Sequence, residues 1–188
     1  MPEQPVNHRY GAVAQALHWI IAALIVVQFV LANMEHHLPI GMHKLALLAR
    51  HKSFGMTVLM LAIVRLAWRL FHKPPPLPAA MKSHEMALAK FTHVLFYLLL
   101  FAIPVTGWLM SSAKGYTVSW FNVFSWPDLI AKDDAAYKVL HSRHGMLATI
   151  LFYVAILHIL AALKHHFWDK DAVLKRMLPF TNTQGMNP

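Results

Sequence analysis

The stretch from His141 to Trp168 reads HSRHGMLATILFYVAILHILAALKHHFW. It is an apolar run with histidines set into it. His144 and His158 are 14 residues apart. On a helix that is about 21 Å of axis, and both side chains come within roughly 40° of one face. Spacings in multiples of seven stay on one seam of a left-handed bundle. His165, seven residues after His158, shares that seam. Ionisable residues inside an apolar span are costly and mark functional positions. A single such His would more often be a core or interfacial residue, so the reading depends on partners elsewhere.

Composition places the run in a membrane. Of 188 residues, 57% are hydrophobic and 13% charged, with mean hydropathy +0.45. Several apolar runs approach the roughly 20 residues that cross a bilayer. The expectation is an all-α membrane protein: one domain, 1–188, forming a four-transmembrane-helix bundle. Its spans fall at about 12–32, 51–71, 90–110 and 140–167. The first span exceeds a signal-peptide core and is expected to be retained, although cleavage after Ala32 would discard His18.

The net charge of +9 and pI near 10.0 would suggest nucleic acid in a soluble chain. Here the cations flank apolar runs, where they meet lipid head groups. No basic aromatic motif for bases accompanies them. Cysteine is absent, which excludes disulfides, cysteine-held clusters, thiolate haem and CxxCH attachment.

The other spans supply candidate partners. His18 lies early in span one, with Ala14 and Ala22 one turn either side. His51 opens span two, with Gly55 one turn on. Arg65 is 14 residues after His51, on the same seam. It either snorkels to head groups or pairs with an anion such as a haem propionate. His93, in span three, has no second His on its seam and is expected to be interfacial or supporting. Pro104 and Gly107 predict a kink or loosened turn. His36, His37 and His43 lie in the first connection; without a fourth ligand at fixed spacing, a hydrated loop is expected rather than zinc. KPPPLP (73–78) is a stiff connection. The aromatic segment 111–138 is expected to be amphipathic and interface-seeking, and able to lie as a lid over one end.

Topology turns these positions into pairs. Ten of the 17 Lys and Arg fall at residues 9, 65–90 and 164–176, the rest at 44–52 and 114–143. That bias favours both termini inside. Alternating spans then level His18 with His158 near the inner face, and His51 with His144 near the outer face. No placement of Met56, Met60 or Met146 gives the same matching. Imidazole is the usual ligand of b-type haem. The expectation is two non-covalent b haems, each between two histidines.

ALHW (16–19), HKSFG (51–55), VRLAWR (64–69), IPVTGWLM (103–110) and the double-His run ending in HHFW together resemble the bacterial cytochrome b561 family over nearly the whole chain. That resemblance implies two bis-His b haems on His18, His51, His144 and His158, in a multi-pass protein of the bacterial inner membrane. The chain looks most like the branch that oxidises periplasmic superoxide and reduces ubiquinone. The resemblance also suggests a quinone contact at His165 and His166, which would otherwise read as interfacial histidines. Arg143 departs from the pattern, which often carries an aromatic residue there. With Lys52 and Lys114 it could draw in an anion. The rival readings are a quinol-linked carrier, a cytochrome subunit serving a soluble electron-transfer partner, and a divalent-metal transporter. Few intramembrane carboxylates disfavour the last.

Overall fold

The computed structural model describes residues 9–76 and 81–179. Four long helices dominate: α1 (Ala12–His36), α2 (Met42–Phe71), α3 (Ser83–Lys114) and α4 (Asp134–Lys164). All four are long and apolar enough to cross a membrane. The chain is therefore a multi-pass membrane protein. It carries many exposed large apolar side chains, Val26, Leu98 and Leu157 among them, as expected where lipid is the solvent.

Each helix extends past its predicted span at one end or both, although α4 gives way to a different turn after Lys164, short of the predicted end at 167. α2 begins nine residues before His51, taking in His43 and Arg50. Hydropathy locates the apolar slab, whereas the backbone stays helical into the head-group layer. The first connection shrinks to a tight turn, tied by a Lys44–Glu35 ion pair at 3.3 Å. His43 is helical, so the expected histidine loop is only partly a loop.

Pro104 sits inside α3. It has no N–H, so the carbonyl of Leu100 loses its helical partner. α3 ends at Gly115, whose φ of 78° suits a residue without a Cβ. α4 is capped by Asp133, which accepts hydrogen bonds from Ala135 N–H (2.8 Å) and Ala136 N–H (3.1 Å).

Between α3 and α4 the expected amphipathic segment is instead a β-hairpin. Strands β1 (Val118–Trp120) and β2 (Phe124–Trp126) pair antiparallel, with Trp120 opposite Phe124. Phe121 and Asn122 both take positive φ (48° and 59°), and Val123 N–H closes the turn on Trp120 O at 2.9 Å. Two successive positive φ values match the right-handed twist of a hairpin. The hairpin docks on α2. Ser53 Oγ donates to Ser119 O (3.0 Å) and accepts from Phe121 N–H (3.0 Å). Trp120 Nε1 donates to Thr57 Oγ1 at 3.0 Å, while Val118 packs on Met56 and Leu59. The lid expected here is thus a sheet held over the end of the bundle that carries His51.

The opposite end is closed by the tail. Tyr10 N–H donates to Arg176 O (3.3 Å), Gln15 Nε2 to Arg176 O (3.0 Å) and Trp19 Nε1 to Met177 O (2.9 Å). Arg176 is buried and donates to Pro76 O at 2.6 Å.

The core joins α1, α2 and α3 through Ile21, Val58, Ala62 and Leu100. α4 is attached differently. It packs along α3, yet among the described residues no Cα of α4 comes within 8 Å of one in α1 or α2. A slot therefore runs between α4 and the α1–α2 pair. Phe29 and Phe152 bridge it, ring centres 5.5 Å apart.

Candidate functional site: two histidine pairs facing across a slot

The histidines of interest look into this slot. At the hairpin end, His51 (α2) and His144 (α4) have ring centres 6.3 Å apart. At the tail end, His18 (α1) and His158 (α4) are 6.4 Å apart. A metal held between two imidazole nitrogens at about 2 Å each puts the ring centres roughly 6 Å apart. Both pairs have that separation. The Phe29–Phe152 bridge falls between the two levels, since Phe152 lies between His144 and His158 on α4.

His144 is the best-defined of the four. Its Nδ1 donates to Ile103 O at 3.0 Å, with Thr106 Oγ1 at 3.3 Å. A proton fixed on Nδ1 leaves the Nε2 lone pair for a metal, and the carbonyl partner orients the ring. Gly107 makes this possible. A Cβ there would lie 3.1 Å from His144 Cε1 and 3.4 Å from Nδ1. The signal for Gly107 was present in the sequence, but as a kink; its use is as a notch for an imidazole on another helix. His51 Nδ1 is buried without a hydrogen-bond partner among the described residues. A buried polar nitrogen without a partner is costly, so the hairpin-end pair has unused bonding capacity.

The tail end holds a residue that seam reasoning set aside. His93 (α3) lies 6.1 Å from His158, as near as His18 does. Phe96 packs edge-on against the same ring at 5.2 Å. His93 shares a seam with no other histidine on its own helix, so only the packing of α3 on α4 exposes the relationship. Arg65 is half-buried on α2, and its charge acts on His18, His93 and His158 together. It lies on the same helix as His51, 14 residues on toward the tail end.

His165 does follow α4 on the tail side, but in a π-helical turn, His165–Asp169, rather than a continued α-helix. Its Nδ1 pairs with Asp171 Oδ2 at 2.7 Å and Asp169 Oδ2 at 3.1 Å. Neither carboxylate was singled out from the sequence. Among the described residues, the three groups close enough to ring a metal ion are His165, Asp169 and Asp171; His36, His37 and His43 form no such group.

Of the cations expected to draw in an anion, Lys114 is paired with Asp134 at 3.1 Å. Lys52 lies over the Tyr116 ring at 5.4 Å. Arg143 is exposed.

A four-helix membrane bundle with facing imidazoles and no cysteine has the ligand types that suit a non-covalently held metal group. The comparison with known proteins agrees. The profile of prokaryotic cytochrome b561 matches residues 9–180, and this chain belongs to that family. It is 37% identical to cytochrome b561 homolog 2 of Escherichia coli (strain K12), over 90% of this chain and 91% of that protein. It is 27% identical to the probable superoxide oxidase CybB of Yersinia pestis, over 93% and 98%. Cytochrome b561 homolog 1 of Escherichia coli (strain K12) is 23% identical, over 92% and 98%. Membership makes the protein a membrane electron-transfer protein of a family that binds haem b.

Proposed function

We propose that the protein carries electrons singly between two b haems, from superoxide at the hairpin end to ubiquinone at the tail end. His51 and His144 hold one haem; His18 and His158 hold the other. The observation that carries this reading is the pair of imidazole separations, 6.3 and 6.4 Å, across a slot that α4 leaves open.

A b haem held by such a histidine pair would supply reversible one-electron exchange. The residues do the rest. Ile103 O holds the His144 ring in the tautomer that ligates. Phe29 and Phe152 meet across the slot between the two histidine levels. Arg65 stands where an anionic propionate needs a cation. At the hairpin end, Arg143 and Lys52 raise the local concentration of a small anion. The relative named a probable superoxide oxidase supports that choice of donor. His165 and His166, at the tail end, offer hydrogen bonds to quinone carbonyls. The tail end, with Arg9 and Arg176, faces the cytoplasm of the bacterial inner membrane, in line with the cation bias.

Two measurements test this. The haem-to-protein ratio should be two, with a b-type redox spectrum. Rapid mixing with generated superoxide should then reduce that spectrum faster than dismutation consumes the donor. Absence of such reduction sinks the superoxide reading. Reduction by quinol alongside a co-purifying protein would instead indicate a carrier serving a soluble partner.

A further inference from the structure

The outer surface between α2 and α3 is not smooth. Near the tail end the two helices part to leave a groove of about 430 Å³. Leu66 and Leu70 of α2 form one wall, and Val94 and Leu98 of α3 the other; Arg69 and Lys73 stand among them. Val94 and Leu98 are each two residues from Phe96, hence roughly 160° around α3 from the ring that meets His158. Both are exposed. The groove therefore opens to the bilayer and not into the slot. α2 and α3 run in opposite directions, so residue number gives depth. Leu66 and Leu98 lie toward the middle of the membrane, Lys73 and Val94 toward its surface. The groove is apolar at its deep end and cationic at its outer end.

The two cations are held in place. Arg69 is half-buried, and its guanidinium lies over the Tyr97 ring at 5.9 Å. Contact with a ring occupies a face of the planar guanidinium and leaves its N–H edge for a two-point bond to phosphate. Lys73 follows the end of α2 and is exposed. His72 before it stacks on Trp68, with ring centres 3.8 Å apart and planes within 8° of parallel. Pro74, Pro75 and Pro76 after it keep the chain stiff and extended, and buried Arg176 donates to Pro76 O at 2.6 Å. Lys73 is thus mounted between two fixed points.

Among the described residues no carboxylate lies within ion-pair distance of Arg69 or Lys73. The tail-end acids are already engaged, Glu85 and Asp169 by Lys164, and Asp171 by His165. Two cations without a counter-charge, at the mouth of an apolar groove, suit an anion that carries hydrocarbon. Basic pockets between membrane helices bind anionic head groups in this way. A free anion would use only the outer half of the groove, and a bare hydrocarbon chain only the inner half.

We propose that this groove binds one anionic phospholipid. Its phosphate bridges Arg69 and Lys73, and an acyl chain lies between the Leu66–Leu70 and Val94–Leu98 walls. The site does not depend on which molecules donate and accept electrons.

The test uses the full-length, haem-loaded protein in detergent. It is mixed with equal amounts of phosphatidylglycerol and phosphatidylcholine of the same acyl chains, and native mass spectrometry counts the lipid retained. One phosphatidylglycerol should be held in preference to phosphatidylcholine. Arg69→Gln and Lys73→Gln should each lower that preference about fivefold, and the double variant should abolish it. Lys138→Gln removes an exposed cation from α4 and should leave it unchanged. Leu98→Trp fills the groove while keeping both cations, and should reduce retention of either lipid. Circular dichroism checks helix content; Lys73 lies outside the helices, so its variant keeps the test open should Arg69→Gln fail to fold. Equal retention of the two lipids by the unsubstituted protein overturns the proposal. Unchanged retention and preference in Leu98→Trp also overturns it, because the cations are then plain head-group contacts. Retention of an added short-chain ubiquinone in place of the phospholipid overturns the choice of occupant. Loss of haem from Arg69→Gln with the lipid preference intact overturns it too, and assigns the guanidinium to a haem propionate.

Discussion

His144 rests in a notch that Gly107 leaves on α3: a Cβ at residue 107 would come within 3.1 Å of the imidazole. Backbone and ring are both confined there, since Ile103 O holds the same imidazole at 3.0 Å. Gly107→Ala should push the ring toward the slot and cost about 1–3 kcal/mol by overpacking. The expected result is a lower melting temperature and selective loss or shift of the hairpin-end haem signal. An unchanged spectrum and melting point would mean that α3 yields at little cost.

His18 and His93 stand at nearly the same distance from His158. The pairing proposed above uses His18. His18→Leu should therefore abolish the tail-end haem, whereas His93→Leu should retain it with at most a shifted potential. Haem stoichiometry and a redox titration read both variants. The reverse pattern would reassign the ligand to α3.

Ser53 joins the hairpin to α2. The residue is 3% exposed, and its hydroxyl donates toward Ala49 O and Ser119 O and accepts from Phe121 N–H. Ser53→Ala leaves Phe121 N–H without its partner, at a cost of about 1–3 kcal/mol. Hydrogen exchange at that amide should accelerate, while amides within α1 should not change.

The sequence made the membrane class and the four spans legible because lipid demands long apolar runs, and such runs are local. The His18–His158 and His51–His144 levels were legible for a related reason: antiparallel spans convert residue number into depth. Three things were hidden. His93 reaches His158 through the contact of α3 with α4, which no spacing within α3 encodes. The hairpin's turn depends on Phe121 and Asn122 at positive φ, and Phe is a poor advertisement for that conformation. Asp171 joins His165 only because Lys170 reverses the chain, an event with no periodic signature.

Gln15 and Trp19 tie α1 to the tail. Gln15→Leu and Trp19→Phe each remove a donor to a tail carbonyl, at Arg176 and Met177. Each should cost about 1 kcal/mol. Limited proteolysis after Lys175 or Arg176 should speed up in both variants and most in the double variant. Equal cleavage rates would show that the remaining ties, Tyr10 N–H to Arg176 O and Arg176 to Pro76 O among them, hold the tail without these two donors.

The bonds from Gln15 and Trp19 to the tail span 161 and 158 residues of sequence. A ribosome makes residues 176–178 only after all four helices have been synthesised and α1 has long left it. Until then α1 sits in the bilayer with its end unstitched. The protein therefore completes its tail-end rim last, and the order of synthesis leaves that rim open while the earlier helices find one another.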